Sequence, residues 1–530
     1  MHPTRRSVLA RSGAAAVAAL TGFPAILPRA ALGNTTWGEV PSGLMPAGFT
    51  PSRILEIHCY GAPSIWENFW VRGPSSNPDW RGFDAEMAAT DWLCPATASE
   101  RPTSEGVVSF GQDSLGNDIF WGPATRPLWD SGIMDRTRMV VQKHDSPAIP
   151  IHEAAIPYAI TGSRLGTPRH AGMGAAFQHR GMTLDPGRTI PHAYVLSPNN
   201  IAQFGMTDTA ALATGTHPGG SRPLMVKIGG ASDLEARLSR PGLSPARDDL
   251  LDALRGQYRD RLRRHGAMVP PVRSAQFTAY DAAVESLYNA PGLVSLFSGG
   301  VLDVDTMPYC LKQAGDADPA DVANRPATAI DLARRLLTDP GNPARHVLIA
   351  DGGVEKIAGG SQPPYDTHAS VVSSAFEQVR ATNANLFNML YHLSQAIDPT
   401  GTDPTRINLD DTMIVINAEF GRTPRRTSYQ GNDRGREHWP AGYVAILIGG
   451  PITSRAIVGG MTSNPGDSSD GTAPDGAWYK PTDIRGTLLM AGGVWPFESE
   501  LFGTLDFGPQ VNIGSETGNA QTIATDILGL

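Results

Sequence analysis

The chain alternates short apolar runs with longer segments in which apolar residues recur at helical spacing. Five of the apolar runs are bounded by glycine, proline or polar clusters, and several are rich in β-branched residues, as is typical of buried strands. They are Arg53–Cys59, Met139–Gln142, His346–Ala350, Thr412–Ala418 and Tyr443–Ile448, with Tyr194–Leu196 as a shorter candidate. Because strands alternate with helices, the pattern predicts a three-layer α/β fold around a largely parallel sheet.

Helical periodicity marks four stretches: Ala154–Thr161, Ala327–Thr338, Ala369–Ile397 and Asp483–Met490. A fifth region, residues 233–290, interleaves charged and apolar positions, and we expect a helical insertion or cap there. The arginine runs of this region are typical of a solvated helix face. High counts of glycine (58) and proline (44) indicate many turns and long loops between the elements.

The segment from Asp410 to Gly450 holds two predicted strands joined by a polar loop. The loop has no helical period, whereas a parallel partner strand usually requires a crossover helix. We therefore expect the second strand to return antiparallel, or close beside the first. That arrangement places Glu419 and His438 at the same end of the sheet, where a carboxylate and an imidazole suit a metal or catalytic site.

Further candidate residues lie beside other predicted elements. His144 follows a strand and His152 precedes a helix, so both imidazoles are candidates for a site, although a single exposed histidine usually has no such role. Asp366 and His368 precede the long helix. An N-cap role accounts for Asp366 but leaves His368 unexplained.

Composition and charge narrow the class of protein. The chain has 530 residues, of which 41% are hydrophobic and 18% charged, enough for a large core. Its net charge of −9 provides no basic surface for nucleic acid, so we expect no nucleic-acid partner. The cysteines, Cys59, Cys94 and Cys310, form no CxxC pair, which argues against a zinc–thiolate site. The three cysteines are also compatible with one disulfide bond and one free thiol.

The N-terminus has the pattern of an export signal. Thr4-Arg5-Arg6-Ser7-Val8-Leu9 precedes a weakly apolar, alanine-rich region, and Ala31-Leu32-Gly33 offers small residues for cleavage. We predict a twin-arginine signal over residues 1–33, a mature protein from Asn34, and recognition by the twin-arginine export machinery. The location would then be periplasmic or extracellular. The alternative is an ordinary amphipathic helix; no other stretch is long and apolar enough to span a membrane.

The stretch NAEFGRTP…REHWPAGYVAILIGG, preceded by YDTH and a long helix, resembles the DUF1501 family. That family is similar in fold to the alkaline phosphatase and sulfatase superfamily. The resemblance implies one alkaline-phosphatase-like domain over residues 34–530, with the helical insertion near residues 233–290. It further implies a site for one or two divalent metal ions (Zn, Mn, Mg or Ca), made by Asp366, His368, Glu419 and His438.

The family's first-strand motif, G-G-x-S-H-x-D-T-F-D, corresponds here to Gly61–Trp70. Ser64 is retained, and the resemblance implies that it is the nucleophile. Glu67 stands at the first aspartate and is the implied metal ligand, whereas Ile65 and Trp70 replace the histidine and the last aspartate. The residues alone also permit a plainer interpretation, in which Ser64 and Glu67 form the capping box of a helix.

The predicted chemistry follows from this set of residues. A bound metal would polarise a phosphoryl or sulfuryl oxygen, and Ser64 at a helix N-terminus would lie where anions are favoured. Arg422 is expected either to pair with an anionic substrate or, more simply, to brace Glu419. The favoured function is an exported metal-dependent hydrolase acting on a small anionic ester of phosphate or sulfate. The alternative is a non-catalytic exported binding or assembly protein that keeps the fold with a degenerate or structural metal site.

Overall fold

The structure is a computed structural model that describes seventeen stretches of the chain. They are residues 38–72, 107–144, 151–162, 171–185, 188, 190–198, 223–228, 245–266, 325–353, 365–366, 375–424, 427–429, 432–462, 473–474, 478–498, 501–508 and 515–530. The predicted signal segment, Cys94, Cys310 and His368 lie outside these stretches.

Strands and helices alternate through the described part of the chain. The strands are Arg53–Cys59 (β1), Val71–Arg72 (β2), Val108–Gln112 (β3), Asp118–Trp121 (β4), Thr137–Gln142 (β5), Ala193–Pro198 (β6), Leu224–Ile228 (β7), His346–Asp351 (β8), Ile397–Asp398 (β9), Ile407–Asn408 (β10), Thr412–Asn417 (β11), Gly421–Arg422 (β12), Thr427–Tyr429 (β13), Asn432–Gly435 (β14), His438–Trp439 (β15), Tyr443–Gly449 (β16) and Ala456–Val458 (β17). The α-helices are Ser131–Met134 (α1), His152–Thr161 (α2), Met173–Leu184 (α3), Pro245–Gly266 (α4), Arg325–Thr338 (α5), Ala375–Ala396 (α6), Pro481–Ala491 (α7) and Glu516–Thr522 (α8).

One large sheet joins eight of these strands in the order β17-β5-β16-β11-β1-β8-β6-β7. Strand β16 pairs antiparallel with both of its neighbours, and the other pairs within this sheet are parallel. The mixed α/β architecture with a largely parallel sheet is therefore confirmed. The antiparallel return of β16 beside β11 is also confirmed, as the helix-free loop between them indicated.

Apolar side chains cover both faces of the sheet. On β1, Leu55 and Ile57 belong to a core that includes residues of α5 and α6. Ile54, one position away, belongs to a second core that includes residues of α3 and α7. Because successive strand residues point to opposite faces, a strand covered on both faces is a continuous apolar run. This explains why the central strands can be predicted from the sequence.

Several predicted boundaries change. The sequence patterns did not identify β7 and β17, which lie at the two edges of the sheet. Helix α4 lies within the expected insertion, and the rest of residues 233–290 falls outside the described stretches. No helix among the described residues has both the length and the apolar character needed to cross a bilayer.

The predicted capping box at Ser64 is wrong. The backbone N–H groups of Asn68, Phe69 and Trp70 all donate to the carbonyl oxygen of Ile65, at 2.8–3.1 Å, and close a turn where a helix was expected. The aromatic side chains of this turn are buried, and Phe69 and Trp70 join the same core as Leu55. The turn therefore packs these rings into the core.

Candidate metal site

The candidate site lies beyond the ends of several central strands. Parallel strands β1 and β11 finish at the same edge of the sheet, so the residues that follow Cys59 and Asn417 meet there. Antiparallel β16 begins at this edge, and His438 lies shortly before it. The first residue of α2, His152, completes the group. The strand directions thus bring distant parts of the sequence to one edge of the sheet, as is usual for sites in α/β proteins.

Glu419 is the buried centre of the arrangement, with a fully covered side chain. Its Oε1 atom accepts a hydrogen bond from the backbone N–H of Gly61 at 2.9 Å. The same oxygen lies 2.7 Å from His152 Nδ1, and Oε2 lies 3.4 Å from His58 Nε2. One carboxylate therefore links the end of β1, the segment after β11 and the start of α2.

The second ring nitrogen of His152, Nε2, meets two more potential ligands. His152 Nε2 lies 3.6 Å from Asp366 Oδ2 and 3.1 Å from His438 Nε2. One donor atom from each of the three residues lies within 4.8 Å of the other two. His152 and Asp366 are buried, whereas His438 is half-buried, so the group is most open on the side of His438.

The electrostatics of His152 and Glu419 are coupled. Burial by itself would lower the pKa of His152, but hydrogen bonds and charge interactions with Asp366 and Glu419 outweigh it and raise the pKa to about 9. Burial would raise the pKa of Glu419, yet His152 and His58 hold it well below its usual range. Without a metal, His152 is therefore an imidazolium between two carboxylates, an environment that also favours a metal cation.

His144 supports the site from the backbone side. Its Nε2 lies 2.8 Å from the carbonyl oxygen of Glu419, which can only accept a hydrogen bond, so Nε2–H is the donor. Burial lowers the pKa of His144 to about 4 despite the opposing effect of this carbonyl. The neutral ring therefore holds the backbone at Glu419 and makes no contact with the group around His152 Nε2 that would identify it as a ligand.

Arg422 braces Asp366, and the prediction that it would brace Glu419 is wrong. The buried guanidinium donates from Nη2 to Asp366 Oδ1 at 2.7 Å and to the carbonyl of Gly61 at 2.5 Å. Its Nε donates to the carbonyl of Ala62 at 3.0 Å. The physical reason is position. Arg422 lies on β12 beside the turn after β1, and its N–H groups donate to the backbone carbonyls of that turn.

Ser64 and Glu67 occupy different surroundings. The carboxylate of Glu67 forms a buried ion pair with Arg436, whose Nε and Nη2 lie 2.7 and 2.6 Å from Oε1. The Ser64 hydroxyl is buried and has no hydrogen-bond partner among the described residues. The Glu67 carboxylate is therefore paired with Arg436 and is not among the donors grouped around His152 Nε2. The roles of Ser64 as nucleophile and Glu67 as metal ligand stay predictions.

A second buried group fixes the segment that carries Asp366. The hydroxyl of Tyr365 donates to Asp351 at the end of β8, and the N–H of Gly353 donates to the same carboxylate at 2.9 Å. Burial raises the pKa of Asp351 to about 6. Because Tyr365 immediately precedes Asp366, this hydrogen bond ties the Asp366 backbone to the sheet.

The predicted site includes Asp366, Glu419 and His438, and the structure brings these three together around His152. The sequence marks His152 only weakly, although its ring contacts all three of the others. His58 gives no signal in the sequence, because it lies inside the continuous apolar run of β1. His368 lies outside the described residues.

A largely parallel α/β sheet with carboxylates and imidazoles gathered beyond its strand ends defines an α/β protein with a candidate metal centre. Residues 57–493 match the model of the DUF1501 family, whose description is 'protein of unknown function'. The chain belongs to the DUF1501 family. A crystal structure of a protein in the alkaline phosphatase superfamily from Vibrio parahaemolyticus is similar at a TM-score of 0.30 and 9% identity, over 91% of this chain and 75% of that one. Among curated proteins, none matches the chain.

Proposed function

We propose that this protein is an exported metal-dependent hydrolase of phosphate or sulfate esters. The observation that carries the proposal is the approach of His152, Asp366 and His438, whose donor atoms lie within 4.8 Å of one another. Two nitrogen ligands at about 2.0–2.1 Å from one tetrahedral zinc ion lie roughly 3.3 Å apart. The 3.1 Å separation of the two histidine Nε2 atoms fits that arrangement.

The donor set narrows the identity of the metal. Two imidazoles and one carboxylate suit zinc or manganese, whereas magnesium and calcium prefer oxygen ligands. Asp366 is well suited to the role because Arg422 engages Oδ1 and leaves Oδ2 toward His152. A divalent cation held by these residues would supply Lewis-acid polarisation of an ester oxygen.

The remaining residues would bind and orient the substrate. The half-buried His438 marks the open side of the group, where a small anionic ester would enter. Two arginines, Arg422 and Arg436, are buried and already paired with Asp366 and Glu67. Neither is poised to bind the substrate anion, so we assign that attraction chiefly to the cation.

A non-catalytic exported binding or assembly protein is the second candidate. Two observations favour it: the hydroxyl of Ser64 is buried, and Arg422 is occupied by backbone carbonyls and Asp366. In that case the cation would stabilise the fold without turnover. Both candidates include export by the twin-arginine route, which the N-terminal sequence supports.

Metal analysis followed by an ester screen separates the two functions. We expect purified protein to retain about one divalent ion and to hydrolyse an aryl phosphate or aryl sulfate. His438→Ala should lose both properties, whereas His179→Ala, on α3, is the matched control and should keep them. Bound metal with no turnover on either ester would favour the binding protein with a structural metal. No bound metal and no turnover would contradict the hydrolase and leave the binding protein with a degenerate site.

A further inference from the structure

Glu419 and Asp366 are both carboxylates beside His152, yet they approach different nitrogens of the ring. Asp366 Oδ2 lies 3.6 Å from Nε2, on the side shared with His438. Glu419 Oε1 lies 2.7 Å from Nδ1, on the other side of the ring. A metal bound at Nε2 would therefore have Asp366 within its first coordination sphere and Glu419 behind the imidazole.

We propose that Glu419 is a positioning residue that holds the His152 ring by its Nδ1–H so that Nε2 faces the metal, and that it is not itself a ligand. This inference rests on the proposed metal site and assigns the residue a role other than the metal ligation predicted from the sequence. Carboxylates that hydrogen-bond the outer nitrogen of a ligating histidine fix both its tautomer and its orientation.

The hydrogen bonds of Glu419 establish the direction of the contact. The backbone N–H of Gly61 can only donate, so Glu419 Oε1 is an acceptor toward it at 2.9 Å. The same oxygen is thus aligned to accept a second proton from His152 Nδ1. When Nδ1 carries the proton of the neutral ring, the lone pair lies on Nε2, toward His438 and Asp366.

The surroundings of Glu419 make it a rigid support. Its side chain is fully buried, and its second oxygen lies 3.4 Å from His58 Nε2. The backbone carbonyl of Glu419 accepts a hydrogen bond from His144 at 2.8 Å. Because His58 is on β1 and His144 follows β5, these contacts hold Glu419 in a fixed position relative to the central sheet. Glu419 in turn orients the His152 imidazole.

The test compares zinc affinity, measured by isothermal titration calorimetry, among folded variants. Glu419→Leu removes the acceptor, and we expect its dissociation constant for zinc to rise about 10–100-fold, the usual cost of losing such a partner. Glu419→Gln keeps an amide oxygen that can accept Nδ1–H, so it should recover most of that affinity. Glu153→Gln, an exposed acid next to His152 in the sequence, is the matched control and should bind zinc as the wild type does.

The outcomes distinguish this inference from the proposed function. Wild-type zinc affinity in folded Glu419→Leu would overturn the positioning role alone, whereas absence of zinc binding by the wild type would overturn the metal site and this inference with it. If Glu419→Leu does not fold, nitrogen-15 NMR of the zinc-loaded wild type decides the question. We expect zinc on Nε2 and a proton on Nδ1 of His152; zinc on Nδ1 would overturn the inference.

Discussion

At the scale of single residues, the two carboxylates around His152 are each held by a dedicated partner. Asp366 is bound by the buried guanidinium of Arg422, and Glu419 receives the N–H of Gly61. Buried charges are tolerated only when paired and hydrogen-bonded, and here each pair also connects separate elements. These contacts make the stability of the fold depend on the same residues that form the site.

Arg422→Leu should therefore be strongly destabilising. The substitution leaves the Asp366 carboxylate and the carbonyls of the turn after β1 without their donor, and losing one partner of a buried pair costs about 3–5 kcal/mol. Urea denaturation followed by circular dichroism measures the change. Arg455→Leu removes a partly exposed arginine, 3.8 Å from Asp135, and should change the free energy of unfolding by about 0.5 kcal/mol or less. Equal effects of the two substitutions would contradict the structural role of Arg422.

The pKa of His152 predicts how the metal-free protein responds to pH. The pKa is raised from its ordinary value of 6.5 to about 9, so the folded state binds the proton more tightly than the unfolded state. The resulting stabilisation is fully present below pH 6.5 and is lost as the pH rises through 9.

In urea titrations of the metal-free wild type, the loss of the His152 proton should lower the free energy of unfolding by about 3 kcal/mol between pH 6.5 and 9. His152→Gln should lack that component of the pH dependence. A wild-type stability that rises over this interval, or an unchanged profile in the variant, would contradict the assignment.

At the scale of elements, the two-residue ladder between β12 and β15 positions His438. Arg422 and His438 are paired in register, and Gly421 lies opposite Trp439. A Cβ atom at Gly421 would come within 2.4 Å of the carbonyl oxygen of Gly442. The close approach of these backbones therefore requires glycine and keeps His438 beside Arg422 and the turn after β1.

Gly421→Ala should displace this ladder. We expect a loss of about 1–3 kcal/mol from overpacking, together with weaker zinc binding because His438 moves relative to His152. Gly341→Ala, whose added Cβ would meet only a side-chain oxygen at 3.8 Å, is the control and should leave both properties unchanged. Thermal melts with and without zinc measure both effects. Tight zinc binding by Gly421→Ala would show that the ladder does not position His438.

The elements also show what the sequence reveals and what it hides. The buried strands are continuous apolar runs, and the loop without helical period between β11 and β16 indicated their antiparallel pairing. Local rules failed where long-range contacts decide the conformation. The turn at Ser64 closes around buried aromatic rings, and the partners of Arg422 lie about 360 positions away or on another loop. Residue spacing alone does not contain that information.

At the scale of the whole molecule, membership of DUF1501 does not specify an activity. The activity has to be inferred from the residues of the site. The site joins β1, the segments after β8 and β11, the start of α2 and β15. A ligand bound there therefore contacts parts of the chain from residue 152 to residue 438. Such a ligand should stabilise all of these elements together.

Zinc binding should accordingly raise the thermal stability of the entire protein. At a free zinc concentration 100 times the dissociation constant, the folded state gains about 2.7 kcal/mol, and a chelator should reverse the gain. Differential scanning calorimetry of wild type and His438→Ala provides the comparison, and the variant should respond weakly. Identical melting of chelated and zinc-loaded wild type would count against a metal that bridges these elements.

Anomalous diffraction at the zinc absorption edge, from crystals of the zinc-loaded protein, would locate the metal among these residues. We expect one strong peak bonded to His152 Nε2, His438 Nε2 and an oxygen of Asp366, at about 2.0–2.2 Å from each. Glu419 should lie outside bonding distance and remain against His152 Nδ1. A peak at other residues, or no peak at saturating zinc, would rule out a metal site formed by His152, Asp366 and His438.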